Sequence, residues 1–290
     1  MRTAWRILGT RLCIRYALWA SQAVDREAFL RKFDKFASRE TGYGLDPRLV
    51  RAWETGRLSI SEGLVHRIDT QVAGTTIVYA LATLLRRQYL SAPNVRRVVE
   101  PICGQSGSDR WWRLPSVPGE AHGTTTLYAW DDSASLVSRG DFHGFLAILA
   151  LLRESVATRD SWAGQYARDL YAILPSICRI PWVSQDMDLL LQCIEDMRDG
   201  VRWLPAFLIT IDWGAFRDEL IHPSPWEGIA PWIVGRTGYL DRPVPLLEDV
   251  VPLQPYVHHR NPERSAVLKV FRSIVGARPS PSQTAHQKLG

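Results

Sequence analysis

Two local arrangements in the chain bring together side chains that could support acid/base or metal chemistry. Asp141 and His143 stand two residues apart where an apolar run begins, and a carboxylate beside an imidazole could bind a metal ion or transfer protons. Aspartate is also a common helix N-cap. Asp131 and Asp132 place two carboxylates side by side, but no third carboxylate follows at a spacing typical of a magnesium site. We therefore interpret Asp141 as an N-cap and the other two aspartates as solvated.

The other candidates for catalysis lack the spacing that their chemistry requires. Gly104-Gln-Ser-Gly107 matches neither a nucleophile elbow nor a phosphate-binding loop. The pair at 258–259, two histidines, has no further ligand nearby. No Cys-x-x-Cys pair occurs, so we expect reduced, buried thiols at the four cysteines: Cys13, Cys103, Cys178 and Cys193. The sequence thus predicts no catalytic residue, no metal site and no cofactor, and we do not expect an enzyme.

Residues 44–56 carry the clearest local signal in the chain. Asp46 is a good N-cap, and Pro47 occupies the first helical position, where its missing N–H costs nothing. Gly56 provides a C-terminal stop. One side of the predicted helix is apolar: Leu49, Val50 and Trp53. The other side is polar: Pro47, Arg48, Arg51 and Thr55. This pattern predicts a helix of two to three turns that is buried on one side and exposes two arginines on the other.

The same segment follows a longer residue pattern, which consists of a turn glycine, a small apolar residue, a capping residue, a further apolar residue and Trp-Glu-x-Gly. Seven positions match it in register: Gly44, Leu45, Asp46, Val50, Trp53, Glu54 and Gly56. The pattern resembles the recognition helix of the Cro/repressor-type helix-turn-helix family, and the resemblance covers roughly residues 25–90. It implies a set of residues that contact nucleic acid: Asp46, Pro47, Arg48, Arg51, Thr55 and Arg57. The alternative is a packed three-helix subdomain whose arginines are simply solvated.

The distribution of charge is an independent indication of a nucleic-acid partner. Residues 1–100 contain 17 Lys and Arg against 9 Asp and Glu, a net charge of +8, whereas the remaining 190 residues contain 18 against 21. Concentrated positive charge favours binding to a phosphate backbone because binding releases counterions. We therefore expect DNA as the partner, with RNA, an anionic membrane surface or an acidic protein as alternatives.

Length and composition predict a folded protein with one large domain or two. The chain has 290 residues, of which 46% are hydrophobic and 22% charged. No apolar run reaches the roughly 18 residues that a membrane span requires, so we expect a cytoplasmic protein. The arginines of the first 24 residues interrupt any secretory signal, and we expect an amphipathic helix that packs on the next unit, with a targeting peptide or an unfolded extension as alternatives.

Five segments are expected along the chain: a basic amphipathic helix (1–24), a helix-turn-helix-like domain (25–90), a linker (91–123), a tryptophan-rich helical domain (124–276) and a disordered tail (277–290). The linker is expected because prolines and glycines interrupt the pattern. In it, Trp111 and Trp112 are expected to pin the segment to the second domain, with stacking on bases as the alternative. Helices are predicted in the basic third at 25–37, 61–71 and 75–90.

The second domain is expected to consist of helices. The clearest lie at 142–154, 162–174, 187–197 and 216–221, and a last helix is expected to begin at 261. We also expect a helix over 203–211, with a buried strand at 207–211 as the alternative. Seven prolines between 222 and 260 predict an irregular layer over the bundle. An acidic stretch is expected to face water or a basic partner: Asp186, Asp188, Glu195, Asp196 and Asp199.

These observations predict an all-α protein, with a short helix-turn-helix unit followed by a larger helical bundle and irregular proline-rich segments. The expected function is DNA binding, as a transcriptional regulator or a DNA-binding accessory protein. The second domain would then serve dimerisation, giving a homodimer, or bind a protein partner. The alternative is a non-enzymatic helical interaction subunit of a larger complex, of a defence type or containing RNA.

Overall fold

The structure is a computed structural model of the chain, and it is mostly helical, which confirms the all-α class. It describes residues 3–22, 27–30, 46–86, 88–106, 108–115, 126–200, 209–224 and 230–235. Several predictions from sequence lie outside these residues: most of the helix at 25–37, most of the layer at 222–260, the histidine pair at 258–259, the last helix and the tail. Two small antiparallel sheets accompany the helices in the described part of the chain.

Four helices with both ends among the described residues lie between 3 and 86: α1 (Ala4–Ala20), α2 (Pro47–Glu54), α3 (Glu62–Asp69) and α4 (Thr75–Leu84). The Ser61 hydroxyl caps α3 by accepting a hydrogen bond from the Leu64 N–H at 3.3 Å. Gly74, with φ of +93°, precedes α4. Residues 27–30 are also helical, and Phe29 and Leu30 are buried as their spacing predicts. The helix expected to run to residue 90 ends at Leu84.

The segment 91–123 contains regular structure where a plain connection was expected. Its described part holds a helix, a 3₁₀ turn and two strands: α5 (Ala92–Val99), Glu100–Ile102, β1 (Cys103–Ser106) and β2 (Asp109–Leu114). Pro93 lies in the first turn of α5, where proline is tolerated, so it starts a helix instead of breaking one. A third strand, β3 (Thr126–Ala129), pairs with β2 to give the order β1-β2-β3.

Tryptophans and one carboxylate fix this sheet to the helices. Trp112 is fully buried and stacks on Trp130 at 4.1 Å between ring centroids, so for Trp112 the packing interpretation is confirmed. Glu154 accepts hydrogen bonds from three side chains: Arg96 Nε at 2.6 Å, Arg110 Nη1 at 2.9 Å and Trp130 Nε1 at 3.1 Å. Because these donors come from α5, β2 and the residue after β3, one buried carboxylate holds three elements in place.

The body of the protein contains six helices among the described residues: α6 (Ser133–Arg139), α7 (Phe142–Thr158), α8 (Ala163–Arg179), α9 (Pro181–Ser184), α10 (Met187–Gly200) and α11 (Trp213–Ile221). Four of them match helices predicted from apolar spacing, and each is longer than its predicted range. Strands β4 (Ile209–Ile211) and β5 (Ile233–Gly235) pair antiparallel. The helix expected over 203–211 is therefore wrong for 209–211, where two β-branched residues flank Thr210 and favour a strand.

Helix α1 belongs to both halves of the molecule. Leu8 and Leu12 lie in the large core that also contains α4, α5 and the body, whereas Cys13, Ile14 and Ala17 lie in a smaller core with α2 and α3. Gly9 allows a close approach to α4, since a Cβ there would clash with the Ala82 Cβ. Because α1 is buried on opposite sides, few of its positions let an arginine side chain reach solvent.

The Asp186 carboxylate forms salt bridges with two of these arginines. Arg11 Nη2 lies 2.7 Å from Asp186 Oδ1, and Arg15 Nη1 lies 2.6 Å from Asp186 Oδ2. Asp186 lies just before α10 and is 2% exposed. Of the two expectations for the acidic stretch, water or a basic partner, Asp186 follows the second, and its basic partners lie in the same chain. Glu195 is also paired, because it accepts a hydrogen bond from Tyr171 and forms a salt bridge with Arg198.

Replacing Asp186 with alanine should lower the free energy of unfolding by about 3 kcal/mol, because it leaves two partly buried guanidinium groups without their carboxylate. Urea unfolding followed by tryptophan fluorescence measures this change. Asp218→Ala is the matched control, since Asp218 is a 68% exposed side chain on α11, and it should change the free energy of unfolding by less than about 0.5 kcal/mol. Equal effects of the two variants would contradict a stabilising role for the Asp186 ion pairs.

Candidate nucleic-acid interface

Helix α2 begins and ends where its sequence predicts. Asp46 Oδ1 accepts a hydrogen bond from the Arg48 N–H at 2.8 Å, and Pro47 occupies the first helical position. Gly56 adopts a φ of +71°, the left-handed conformation that ends a helix. The helix has eight residues, which is too short to be stable by itself in water. Its stability therefore depends on the surface that it buries.

The inner side of α2 packs against α1 and α3. Val50 and Trp53 are buried as predicted, in the same core as Ile14 of α1 and Val65 of α3. Leu49 is 37% exposed, so its assignment to the buried side is wrong. Successive residues of a helix are about 100° apart around its axis. The buried side of α2 is centred between Val50 and Trp53, so Leu49 lies at the edge of that side. Two large side chains are thus enough to fix the orientation of α2.

The outer side of α2 and the turn after it are exposed. All six residues that the family resemblance implies lie at the surface: Asp46, Pro47, Arg48, Arg51, Thr55 and Arg57. Thr55 Oγ1 donates a hydrogen bond to the Arg51 carbonyl at 2.8 Å, which leaves the hydroxyl oxygen able to accept another. We call the exposed side chains of Arg48, Arg51 and Arg57 the basic face.

The arginines of the basic face differ from many others in the protein. Arginines elsewhere form salt bridges within the chain, such as Arg11, Arg96 and Arg179. No acidic side chain of the described residues forms a salt bridge with any member of the basic face. These three exposed guanidinium groups therefore keep their donors available for an external acceptor.

Helix α1 supports the turns before and after α3. The sequence predicts that the first helix packs on the next unit, but it does not indicate these two contacts. A Cβ on Gly56 would lie 2.6 Å from Ile7 Cγ2, so the chain leaves α2 in contact with α1. The Tyr16 hydroxyl donates a hydrogen bond to the Ala73 carbonyl at 2.8 Å and holds the turn between α3 and α4. Gly9 and Gly56 are the residues that could have indicated close packing in the sequence. Local spacing, however, does not show which distant side chain a glycine contacts.

The side chains considered for catalysis have structural roles in the described part of the chain. Asp141 Oδ1 accepts a hydrogen bond from the Gly144 N–H at 2.7 Å, which confirms it as the N-cap of α7. Burial lowers the pKa of His143, so its imidazole is neutral near pH 7. Asp132 Oδ1 accepts a hydrogen bond from the Ser135 N–H at 3.1 Å, so this partly exposed residue also caps α6, whereas Asp131 is exposed as expected.

The cysteines and acidic residues also show no reactive cluster among the residues described. No group of three or more His, Cys, Asp or Glu side chains in that part of the chain could hold a metal ion. Three of the four unpaired cysteines are buried, and Cys103 is half-buried. Burial raises the pKa of the Cys193 thiol to about 12, so the thiol is protonated and unreactive. Within the described ranges, no helix combines the length and apolar character needed to cross a bilayer.

Comparison with known proteins identifies no relative of this chain. No protein-family model matches it, and searches of curated proteins and of solved structures find no match either. The candidate interface therefore rests on the geometry of α2 and on the residue pattern of the segment 44–56.

Replacing Gly56 with alanine should lower the free energy of unfolding by about 2 kcal/mol, because a Cβ is strained at this positive φ and meets Ile7. Gly63→Ala is the matched control. It lies in the first turn of α3, where nothing lies within 4 Å of an added Cβ, and it should raise stability by about 0.5 kcal/mol. Thermal and urea unfolding of both variants measure the difference. Opposite signs are expected, and a neutral Gly56→Ala would contradict the close contact between α1 and the end of α2.

Proposed function

We propose that this chain is a DNA-binding protein, a transcriptional regulator or an accessory protein, that places the outer side of α2 in the major groove. The observation that carries the proposal is the basic face. It presents three exposed arginines without an acidic partner in the described chain, on and just after a capped helix whose inner side is buried. An α-helix fits the major groove of B-DNA, and arginine is the side chain that most often reads guanine there, through O6 and N7.

The position of each residue on the outer side agrees with this role. Asp46, Pro47 and Arg48 lie at the start of α2, and the first residues of a recognition helix are those that contact base edges. Arg51 lies one turn further on the exposed side. Arg57 follows the helix in the turn, where it can contact a backbone phosphate. Base contacts and phosphate contacts would then come from separate parts of one short segment.

Charge and packing support the same function. The net charge of +8 on residues 1–100 favours association with a polyanion. A recognition helix must also be held firmly, and α2 is held by Val50 and Trp53 in a core shared with α1 and α3. The body of the protein would supply dimerisation or bind a protein partner, since proteins of this kind usually bind paired half-sites as two-fold dimers. The buried, unpaired cysteines suit the reducing cytoplasm.

DNA is favoured over RNA because the shape of the major groove determines whether side chains can reach the bases. The major groove of A-form RNA is deep and narrow, and side chains cannot read it. A helix that exposes arginines from its first turn to its last therefore fits B-form DNA better than double-stranded RNA. An acidic protein could also bind the basic face, and the salt dependence of binding together with competition by DNA distinguishes the two partners.

Arg48→Ala/Arg51→Ala should weaken binding to a labelled random-sequence duplex by about tenfold or more, since each lost base contact costs about 1–3 kcal/mol. Fluorescence anisotropy across a salt series measures the affinity. The matched control is Arg97→Ala/Arg217→Ala, which removes the same charge from two other helices, where the side chains contact only near neighbours in sequence, Asn94 and Asp218.

The control variant should bind nearly as the wild type does. If both double variants lost the same affinity, binding would depend on net charge alone and α2 would not be a reading helix. If the wild type failed to bind duplex DNA at low salt, the proposal would be overturned in favour of a helical subunit that binds other proteins.

A further inference from the structure

A cluster of one tryptophan and two arginines lies where α1 begins and α4 ends. The Cζ atom of Arg6 lies 5.0 Å from the centroid of the Trp5 ring, and the Cζ atom of Arg86 lies 4.6 Å from it. Stacking of this kind is favourable because the planar guanidinium cation is attracted to the negative face of the indole. We call Trp5, Arg6 and Arg86 the stacked cluster.

The packing of α1 against α4 assembles the stacked cluster. Gly9 of α1 packs on Ala82 of α4. Trp5 lies about one turn before Gly9 in α1. Arg86 follows Ala82 by a similar distance and meets the Trp5 ring because the two helices run antiparallel. Arg86 also lies beyond the end of α4 at Leu84, so no local spacing in the sequence indicates its contact with the ring.

Neither arginine of the stacked cluster has an acidic partner in the described part of the chain. Arg6 and Arg86 form no salt bridge with the described residues, and neither side chain donates a hydrogen bond to them. Arg6 is exposed, whereas Arg86 is half-buried and only its Nε atom is shielded from water. The terminal nitrogens of both guanidinium groups can therefore donate to an external acceptor.

Tyr79 shows that the two positive charges act on the same surface. Burial raises the pKa of this α4 residue, and the charges of Arg6 and Arg86 oppose that rise. Glu62, at the start of α3, adds to the rise but forms no salt bridge with either arginine. Two cations thus lie near one side chain, and neither is neutralised by contact with a carboxylate of the described residues.

The chain that leaves the basic face runs along the side of α1 that carries Arg6. The turn at Gly56 packs on Ile7, the neighbour of Arg6 in sequence. The Ile60 N–H then donates a hydrogen bond to Thr10 Oγ1 at 3.3 Å, and Thr10 lies about one helical turn after Arg6. The segment that includes Arg57 therefore connects the basic face with the stacked cluster.

Resting on the DNA binding proposed above, we infer that the stacked cluster binds phosphates of the DNA backbone and extends the interface from α2 to α1. The guanidinium fork matches the oxygens of a phosphate. Trp5 holds both arginines in position before DNA binds, which lowers the conformational entropy lost on binding. A polyanion is favoured over a free phosphate because it can contact the basic face and the stacked cluster at the same time. Contacts of this kind orient the protein on the duplex without reading its sequence.

Arg6→Gln/Arg86→Gln tests this inference, because it removes both charges but keeps polar side chains. Fluorescence anisotropy of the full chain with a GC-rich and an AT-rich duplex should show binding weakened by about tenfold or more for both. Across a salt series, the slope of log Kd against log salt should fall by about 2, and the ratio of the two affinities should stay that of the wild type. Arg97→Gln/Arg217→Gln removes the same charge from α5 and α11 and should leave the affinity and the slope nearly unchanged.

A second variant, Arg6→Glu, keeps the inference testable if the double variant misfolds, because Arg6 is exposed. It should weaken binding to both duplexes by about tenfold or more, and Arg217→Glu is its control. Circular dichroism and thermal unfolding check the fold. If the wild type binds but a folded double variant keeps its slope, or if Arg6→Glu weakens binding no more than Arg217→Glu does, the inference is overturned and the proposed function stands. If the wild type binds neither duplex, both are overturned.

Discussion

The burial of α1 on opposite sides is the constraint on which the rest of the structure depends. Leu8 and Leu12 fill the large core, and Ile14 and Ala17 fill the small one, so one helix joins the two. A helix that is apolar around most of its circumference must be surrounded by protein. Its charged residues then need partners inside the molecule, and Asp186 provides one carboxylate for both Arg11 and Arg15. The ion pairs follow from the burial of α1 and also fix its rotation against α10.

This arrangement explains how so short a helix as α2 can hold a defined position. Eight residues do not form a stable helix in isolation, so α2 gains its stability from Val50 and Trp53 against α1 and α3. The turn at Gly56 touches Ile7, which fixes the direction in which the chain leaves the helix. Because α1 also belongs to the core of the body, the basic face cannot rotate independently of that body. A recognition helix needs such fixed placement, since specificity requires side chains that reach base edges in one orientation.

The features that could be predicted from the sequence are those set by neighbours within a few residues. The caps Asp46 and Asp141 and the stop at Gly56 follow from local chemistry, and each was located correctly. Prediction failed where a distant residue decides the outcome. The partners of Asp186 could not be identified because they lie about 170 residues earlier in the chain. Pro93 looked like a break, although proline also starts helices.

The spacing within the basic face fits the proposed contact with adjacent base pairs. Arg48 and Arg51 are three residues apart, which places them about 4.5 Å apart along the helix axis. Neighbouring base pairs of B-DNA are separated by about 3.4 Å. Two arginines at this spacing can therefore contact adjacent base pairs without bending of the helix or the duplex, and a guanidinium fork can bind each guanine through two acceptors. Under the proposed function, this spacing and the absence of acidic partners among the described residues leave both guanidinium groups available to donate to acceptors in the groove.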